Sequence, residues 1–302
     1  MDRLKNKTLE RKRTDGIIYL LILLIAAAFA FGFSVDSLFN APQELDITMT
    51  SGRFERHFRI HIPESVEESY PVVVAFHGGF DTGPDFQSYA RLEDYGDRLG
   101  MITVYPDGYG GSWANGYGSI VDRAGVDDIK FFNEIIEYLD TTYKINKKRI
   151  YAVGHSNGGM FCHRLAHENH ENLTAFATVD ATMPDYIYNK YKTPTNLPVL
   201  MINGDKDPKI PFDGSEDGFS IGVRKVLKLM LKNNECDPGS MHLFYYPDLV
   251  KDNRRVRRET YYNSLNQSRV ELIVVENGVH NWFMEDAENN EVIMNFFSRY
   301  SK

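Results

Sequence analysis

The stretch Arg149-Ile150-Tyr151-Ala152-Val153-Gly154-His155-Ser156-Asn157-Gly158-Gly159-Met160 decides how this chain reads. Residues 149–153 have the β-branched and aromatic composition of a buried strand, and residues 158–170 read as a helix. Between them there is room only for a sharp turn, with Ser156 at its tip. A serine hydroxyl is a weak nucleophile unless it is held exposed beside a base, and a strand-to-helix turn holds it so. The strained backbone of such a turn demands small residues two positions to either side, which Gly154 and Gly158 supply. The turn also aims the helix N-terminus at the site, placing the Asn157 amide where a developing oxyanion can be held.

Outward from this turn the chain alternates. An apolar run at 71–76 is too short for a helix and rich in valine, as a strand buried on both faces must be. A helix near 85–99 then leads to a strand at 101–105, and a helix near 127–142 leads to the strand at 149–153. The helix after Ser156 leads to a strand at 175–179. A strand at 199–203 precedes a helix around 219–232, and a strand at 270–275 precedes a last helix around 287–300. Two runs at 44–50 and 54–62, joined at Ser51-Gly52, read as an antiparallel hairpin. Strand–helix alternation at this spacing predicts an α/β class chain, a mostly parallel central sheet with helices on both faces, and the elbow at Ser156 in that setting points to the α/β-hydrolase fold. Ligands of such sheets bind at the carboxyl ends of the strands.

The other candidate residues fall at that edge. His77-Gly78-Gly79 follows the strand at 72–76; Gly79 is expected to give a second backbone donor to an oxyanion, with His77 and Gly78 shaping the loop. The strand at 199–203 is followed by Gly204-Asp205-Lys206-Asp207-Pro208, where either aspartate could orient a histidine and Asp207 is preferred. A base needs an imidazole, which titrates near neutral pH. Of nine histidines, His280 follows the last strand beside Gly278 and is the candidate. His57 and His61 lie in the hairpin, and His155 adjoins the nucleophile but is expected to point away from it. His163 and His167 have the i,i+4 spacing of a metal pair. No Glu follows His163 in the metalloprotease pattern and no third ligand is apparent, so they read as helix-surface or satisfied histidines. The order Ser156, Asp207, His280 is the order this fold imposes. Trp113, Tyr117 and Trp282, with Tyr109, are candidates for an aromatic wall against substrate. No cofactor and no metal is expected.

The ends and composition set the rest. A leader of residues 1–16 carries Arg3, Lys5, Lys7, Arg11, Lys12 and Arg13, and residues 17–33 hold no charge. Such a segment reads as a transmembrane anchor that keeps the basic tail in the cytoplasm and sends the rest outward. A cleaved signal peptide is the alternative, with Ala26-Ala27-Ala28 for processing; Phe29, Phe31 and Phe33 crowd that site. Residues 34–43 then form a linker and 44–302 the catalytic domain, membrane-anchored and extracytoplasmic, or secreted if the signal is removed. The net charge of −8 argues against a nucleic-acid partner. The basic run Arg254-Arg255-Val256-Arg257-Arg258 reads as a solvated surface stretch, and Cys162 and Cys236 as two free thiols.

From about Phe54 to the C-terminus, these motifs resemble the polyhydroxybutyrate depolymerase and feruloyl esterase-like group of α/β-hydrolases. The resemblance rests on residues 72–79, Tyr105-Pro106-Asp107-Gly108 with Trp113, Val126-Asp127-Asp128-Ile129 with Phe131, the Ser156-Asn157-Gly158-Gly159-Met160 elbow, residues 204–207 and the Gly278-Val279-His280-Asn281-Trp282 ending. It implies an extracellular serine esterase for polyesters or for ester decorations of plant polysaccharide, working through Ser156, Asp207 and His280. Members of the group are usually secreted freely, and many carry a cysteine pair of which Cys236 would match one partner; here no cysteine follows it. The rival readings are a peptidase on the same fold, a membrane-tethered binding protein without turnover, and a metal-dependent hydrolase using His163 and His167. A peptidase of this fold usually carries a gating domain, for which residues 181–197 leave little room.

Overall fold

The computed structural model describes residues 42–302 apart from 65–67, 191–193, 250, 252–253, 266 and 284–287. The expected basic tail, hydrophobic segment and most of the linker lie outside the described residues. Among the described residues no helix is long and apolar enough to cross a membrane.

Among the described residues, ten strands form one sheet: β1 (Gln43–Ser51), β2 (Phe54–Ile62), β3 (Tyr70–Phe76), β4 (Ile102–Pro106), β5 (Ile145–His155), β6 (Ala175–Val179), β7 (Val199–Gly204), β8 (His242–Tyr245), β9 (Val256–Tyr262) and β10 (Ser268–Val275). Their spatial order is β1-β2-β4-β3-β5-β6-β7-β10-β9-β8. The inner strands from β4 to β10 pair in parallel, and the antiparallel pairs lie at the two ends. Sequence alternation explains why the centre is buried on both sides. Val72, Val74 and Phe76 of β3, with Ile150 and Ala152 of β5, enter one core. Val73, Ala75, Tyr151 and Val153 enter the other.

Helices cover both faces. On the first lie α4 (Asp128–Tyr143), α5 (Asn157–Glu168) and α7 (Val223–Asn233), burying Phe131, Phe161 and Val226 among others. On the second lie α1 (Gly83–Ala90) and α8 (Asn289–Ser298), through Phe86, Ile293 and Phe297. The remaining helices are α2 (Glu93–Leu99), α3 (Ile120–Ala124) and α6 (Asp185–Lys190).

Three expectations need correction. The single helix near 85–99 is two helices, broken where Arg91 takes a left-handed backbone (φ 48°). The break lets Ala90 and Leu92 both bury, and the Leu92 amide donates to the Tyr105 hydroxyl at 3.0 Å. The edge strands β8 and β9 are absent from the sequence reading: β8 is exposed throughout and shows no alternation, and β9 buries the polar Glu259 and Thr260 beside two arginines. The basic run is not simply solvated, since Arg257 and Arg258 lie in β9. Arg257 bonds to the buried Glu259 at 2.5 Å, and Arg258 bonds to the fully buried Glu271, which Arg299 also holds at 2.8 Å. Two buried carboxylates in the sheet require these cations.

The hairpin that opens the domain is locked to α2 by an imidazole. His61 Nδ1 lies 2.6 Å from Glu44 Oε1 and Nε2 lies 2.7 Å from Asp97 Oδ1. With carboxylates on both sides, both nitrogens donate and the ring is a cation. Burial pulls its pKa down, but the hydrogen bonds to Asp97 and Glu44 outweigh burial and the pKa is raised. A raised folded-state pKa contributes stability that is fully present below the unfolded histidine value and disappears as pH climbs through the folded value. His61→Gln is therefore expected to lower unfolding free energy by about 1–2 kcal/mol at pH 6, with most of the difference gone by pH 9. Urea titrations of the two proteins at both pH values check this; an equal loss at both would refute the cation.

Candidate active site

The ends of β3, β5, β6, β7 and β10 converge at the carboxyl edge of the sheet. β5 enters α5 through Ser156, whose φ of 52° and ψ of −118° place an L-residue in a strained region. The surrounding backbone fixes that strain. The Ser156 amide donates to Val179 O at 2.9 Å, and the Met160 amide donates to Ser156 O at 3.0 Å. The need for glycine is steric: a Cβ on Gly158 would lie 2.2 Å from Phe76 O and 2.5 Å from His77 O, and one on Gly154 would lie 2.3 Å from Gly158 C. The turn thus presses directly against the loop leaving β3.

That loop is tightly specified. The buried His77 accepts the Gly108 amide on Nε2 at 2.8 Å, so its proton sits on Nδ1 and is donated to Gly78 O at 2.6 Å. Burial lowers its pKa, which keeps this tautomer neutral. Trp113 Nε1 donates to His77 O at 3.0 Å, and the Trp113 amide donates to Asn157 Oδ1 at 2.7 Å. Asp128 then holds the Ala114 amide at 2.7 Å and pairs with buried Arg56 at 2.7 Å. This chain of bonds sets the loop of Gly78 and Gly79 against the start of α5. A Cβ on Gly78 would lie 3.6 Å from Ser156 Cβ, and one on Gly79 would lie 3.8 Å from Asn157 Cβ.

From the opposite side come the acid and the imidazole. His280 Nδ1 lies 2.6 Å from Asp207 Oδ2. A carboxylate only accepts, so Nδ1 donates and Nε2 keeps its lone pair. The other Asp207 oxygen accepts the amides of Lys209 at 2.7 Å and Ile210 at 3.0 Å, leaving the carboxylate no freedom to swing away. Asp205, the alternative, instead accepts the Asn277 amide at 2.7 Å.

Ser156, Asn157, Gly78, Gly79, His155 and His280 line one cavity of about 640 Å³, whose remaining wall includes Tyr89, Tyr117, Phe219, Ile210 and Lys209. Tyr117 packs edge-on against Phe219, with ring centroids 4.8 Å apart. Phe80 stands at the rim, almost fully exposed.

Several sequence-based placements differ. Trp113 and Trp282 do not line the cavity. Trp113 stacks on Phe161 and spends its N–H on His77 O in the loop after β3, while Trp282 packs edge-on against Phe86 and donates to Asn290. Both are core residues, because each indole finds its partner inside. Tyr109 packs on Phe54 away from the cavity. His155 does not point away: it lines the cavity, with its ring stacked on His280 at 5.1 Å. His163 is neither on the surface nor satisfied. It is fully buried with both ring nitrogens unpaired, and burial drives its pKa down to about 3. Both cysteines are buried and free.

Asp180 is a residue that the sequence reading missed. It follows β6 directly, in a left-handed conformation (φ 43°), and its buried carboxylate accepts the Gly204 amide at 2.8 Å and the Asn281 amide at 2.7 Å. Burial pushes its pKa well above the usual carboxylate range. Asp180 thereby ties the end of β7, which launches Asp207, to the loop that carries His280. The signal that could have found it is position alone, an acid at the carboxyl end of a central strand. Asp180, Asp207 and His280 place ligand-type atoms within 4.8 Å of one another. Within this group the His280 Nδ1–Asp207 bond and the Gly204 and Asn281 amides on Asp180 form a hydrogen-bonded cluster.

Comparison with known proteins agrees with this architecture. No family model matches the chain. The candidate esterase NocK of Nocardia uniformis subsp. tsuyamanensis is 28% identical over 244 residues, 75% of this chain and 70% of NocK. Feruloyl esterase B of Neurospora crassa is 29% identical over 109 residues, 35% of this chain and 37% of that protein. Among solved structures, an acetyl xylan esterase from Aspergillus awamori superposes with a TM-score of 0.62 at 14% identity, covering 85% of this chain and 99% of the other. At that identity the likeness shows the fold, which is that of the α/β-hydrolases.

Proposed function

We propose, on the premise that this chain belongs with the feruloyl esterase-like α/β-hydrolases its relatives represent, that it is a serine-dependent carboxylic ester hydrolase. The observation that carries the reading is Ser156, strained at the elbow and facing a cavity shared with an imidazole whose Nδ1 is engaged by Asp207. His280 Nε2 takes the Ser156 proton as Oγ bonds to the ester carbonyl carbon. The carbonyl electron pair moves onto oxygen, where the Gly79 and Asn157 amides hold it. When the tetrahedral intermediate collapses, the C–O bond to the alcohol breaks and His280 returns its proton to the departing oxygen. Water then repeats the sequence on the acyl-enzyme and releases the acid. Removing one oxyanion donor typically costs about 3–4 kcal/mol, so the packing of the glycine loop matters to rate as well as to fold.

The substrates are esters whose acyl or alcohol part meets an aromatic wall of Tyr89, Tyr117 and Phe219. Acyl and feruloyl esters on polysaccharide and short polyesters fit that description. The uncharged segment at 17–33 behind six cations supports an anchor that holds the domain outside the membrane, with a cleaved signal as the alternative. The test is a p-nitrophenyl ester series, from acetyl to long acyl, with feruloyl esters alongside, on the full-length chain and on Ser156→Ala. Turnover confined to the chain with Ser156 supports the reading, and equal rates in the variant end it.

A further inference from the structure

His155 has no task in the acyl transfer described above, yet its environment is costly. Both ring nitrogens are buried without a hydrogen-bond partner among the described residues. A buried polar atom left unpaired is destabilising, and a phenyl or isobutyl group would fill the same volume without that loss. The ring is gripped on several sides. One face lies against His280, with centroids 5.1 Å apart and planes at 29°. Trp282 meets it edge-on at 6.0 Å and Tyr89 at 6.5 Å. Nδ1 looks toward the oxyanion loop, 3.4 Å from where a Cβ on Gly78 would lie.

The two histidines stand on unequal supports. His155 is the last residue of β5 and immediately precedes Ser156, whose amide is pinned to Val179 O. His280 sits in the irregular segment after β10 and is held by its Nδ1 bond to Asp207 and by the neighbouring Asn281 amide on Asp180. A single hydrogen bond from Nδ1 fixes a direction but leaves the ring free to turn about that line. A flat neighbour removes the remaining freedom.

We propose that His155 is a positioning residue for His280: its neutral ring sets the plane of the His280 imidazole so that Nε2 faces Ser156, and it offers the imidazolium formed during acyl transfer an aromatic face. This rests on the esterase reading given above. Burial, and then the charge of His280, pushes the His155 pKa down to about 3. His155 therefore stays neutral wherever His280 works and does not oppose the positive charge there. The other charged groups facing the pair are Asp207 on His280 Nδ1, Asp180 within 4.8 Å of both Asp207 and His280, and Lys209, whose charge reaches His155. Tyr89 and Trp282 face it without charge.

The experiment compares His155→Phe and His155→Leu in the full-length chain, by kcat and KM for a soluble ester and by the NMR chemical shifts of the His280 ring protons. Phe keeps the aromatic face, so kcat is expected to stay within about threefold of wild type and the His280 protons to keep a ring-current displacement. Leu removes the face. The expected result is a kcat lower by on the order of tenfold with KM within about twofold, as for a misaligned base. The His280 ring protons should also lose the ring-current displacement that the stacked neighbour gives. Wild-type kcat and wild-type ring shifts in Leu would overturn the proposal, as would Phe lowering kcat as much as Leu. His155→Gln carries the same expectation as Leu should Leu fail to fold, which thermal unfolding reports. The ring shifts read the stack in the folded protein whether or not an ester is turned over. An inactive wild type would thus refute the esterase reading, while the stack is judged separately.

Discussion

Ser156→Ala is expected to lower kcat for p-nitrophenyl acetate by on the order of 10⁵- to 10⁶-fold, with KM changed little. The size of the effect follows from what the side chain does. Without Oγ no acyl-enzyme forms, and the variant is left with whatever water attack the glycine loop and cavity can promote. The substitution disturbs nothing else, because the backbone bonds of Ser156 to Val179 and Met160 do not involve the side chain. Thermal unfolding should therefore match wild type, and a coincident loss of fold and rate would mean that the serine acts structurally.

The second large effect separates two aspartates that stand two residues apart. Asp207→Asn is expected to reduce kcat by on the order of 10³- to 10⁴-fold, whereas Asp205→Asn stays within about threefold. The amide keeps the shape of Asp207, and its oxygen can still accept the Lys209 and Ile210 amides. Its NH₂ group then faces His280 Nδ1 and can only donate. The imidazole must place its proton on the other nitrogen, where the lone pair is needed for Ser156. Asp205 meets only the Asn277 amide, so its charge bears on the loop and not on the ring. Steady-state rates of the two variants decide the matter, and equal losses would contradict the assignment.

Much of the fold was legible because central parallel strands carry continuous apolar runs, and β3 and residues 150–153 of β5 are such runs. The elbow was legible for a different reason: its strain admits only small flanking residues, so the constraint is written into Gly154 and Gly158. Where the reading failed, the same residue types serve two purposes. An aromatic near a loop is the same letter whether it lines a cavity, as Tyr117 does, or closes a core, as Trp113 and Trp282 do. The Arg254–Arg258 run looked solvated because its partners, Glu259 and Glu271, are buried by pairing that only the sheet creates. His155 was misplaced because the ring it stacks on, His280, comes from a loop 125 residues further along the chain. Asp180 left no local trace, since its partners Gly204 and Asn281 are 24 and 101 residues away.

The central claim is that Ser156 alone is an activated hydroxyl. Labelling the full-length chain with a fluorophosphonate and mapping the adduct by mass spectrometry tests this most directly. One adduct on Ser156, formed in wild type and suppressed in His280→Ala, is the predicted result. Ester turnover persisting with Ser156 unlabelled, or an adduct on another residue, would contradict it.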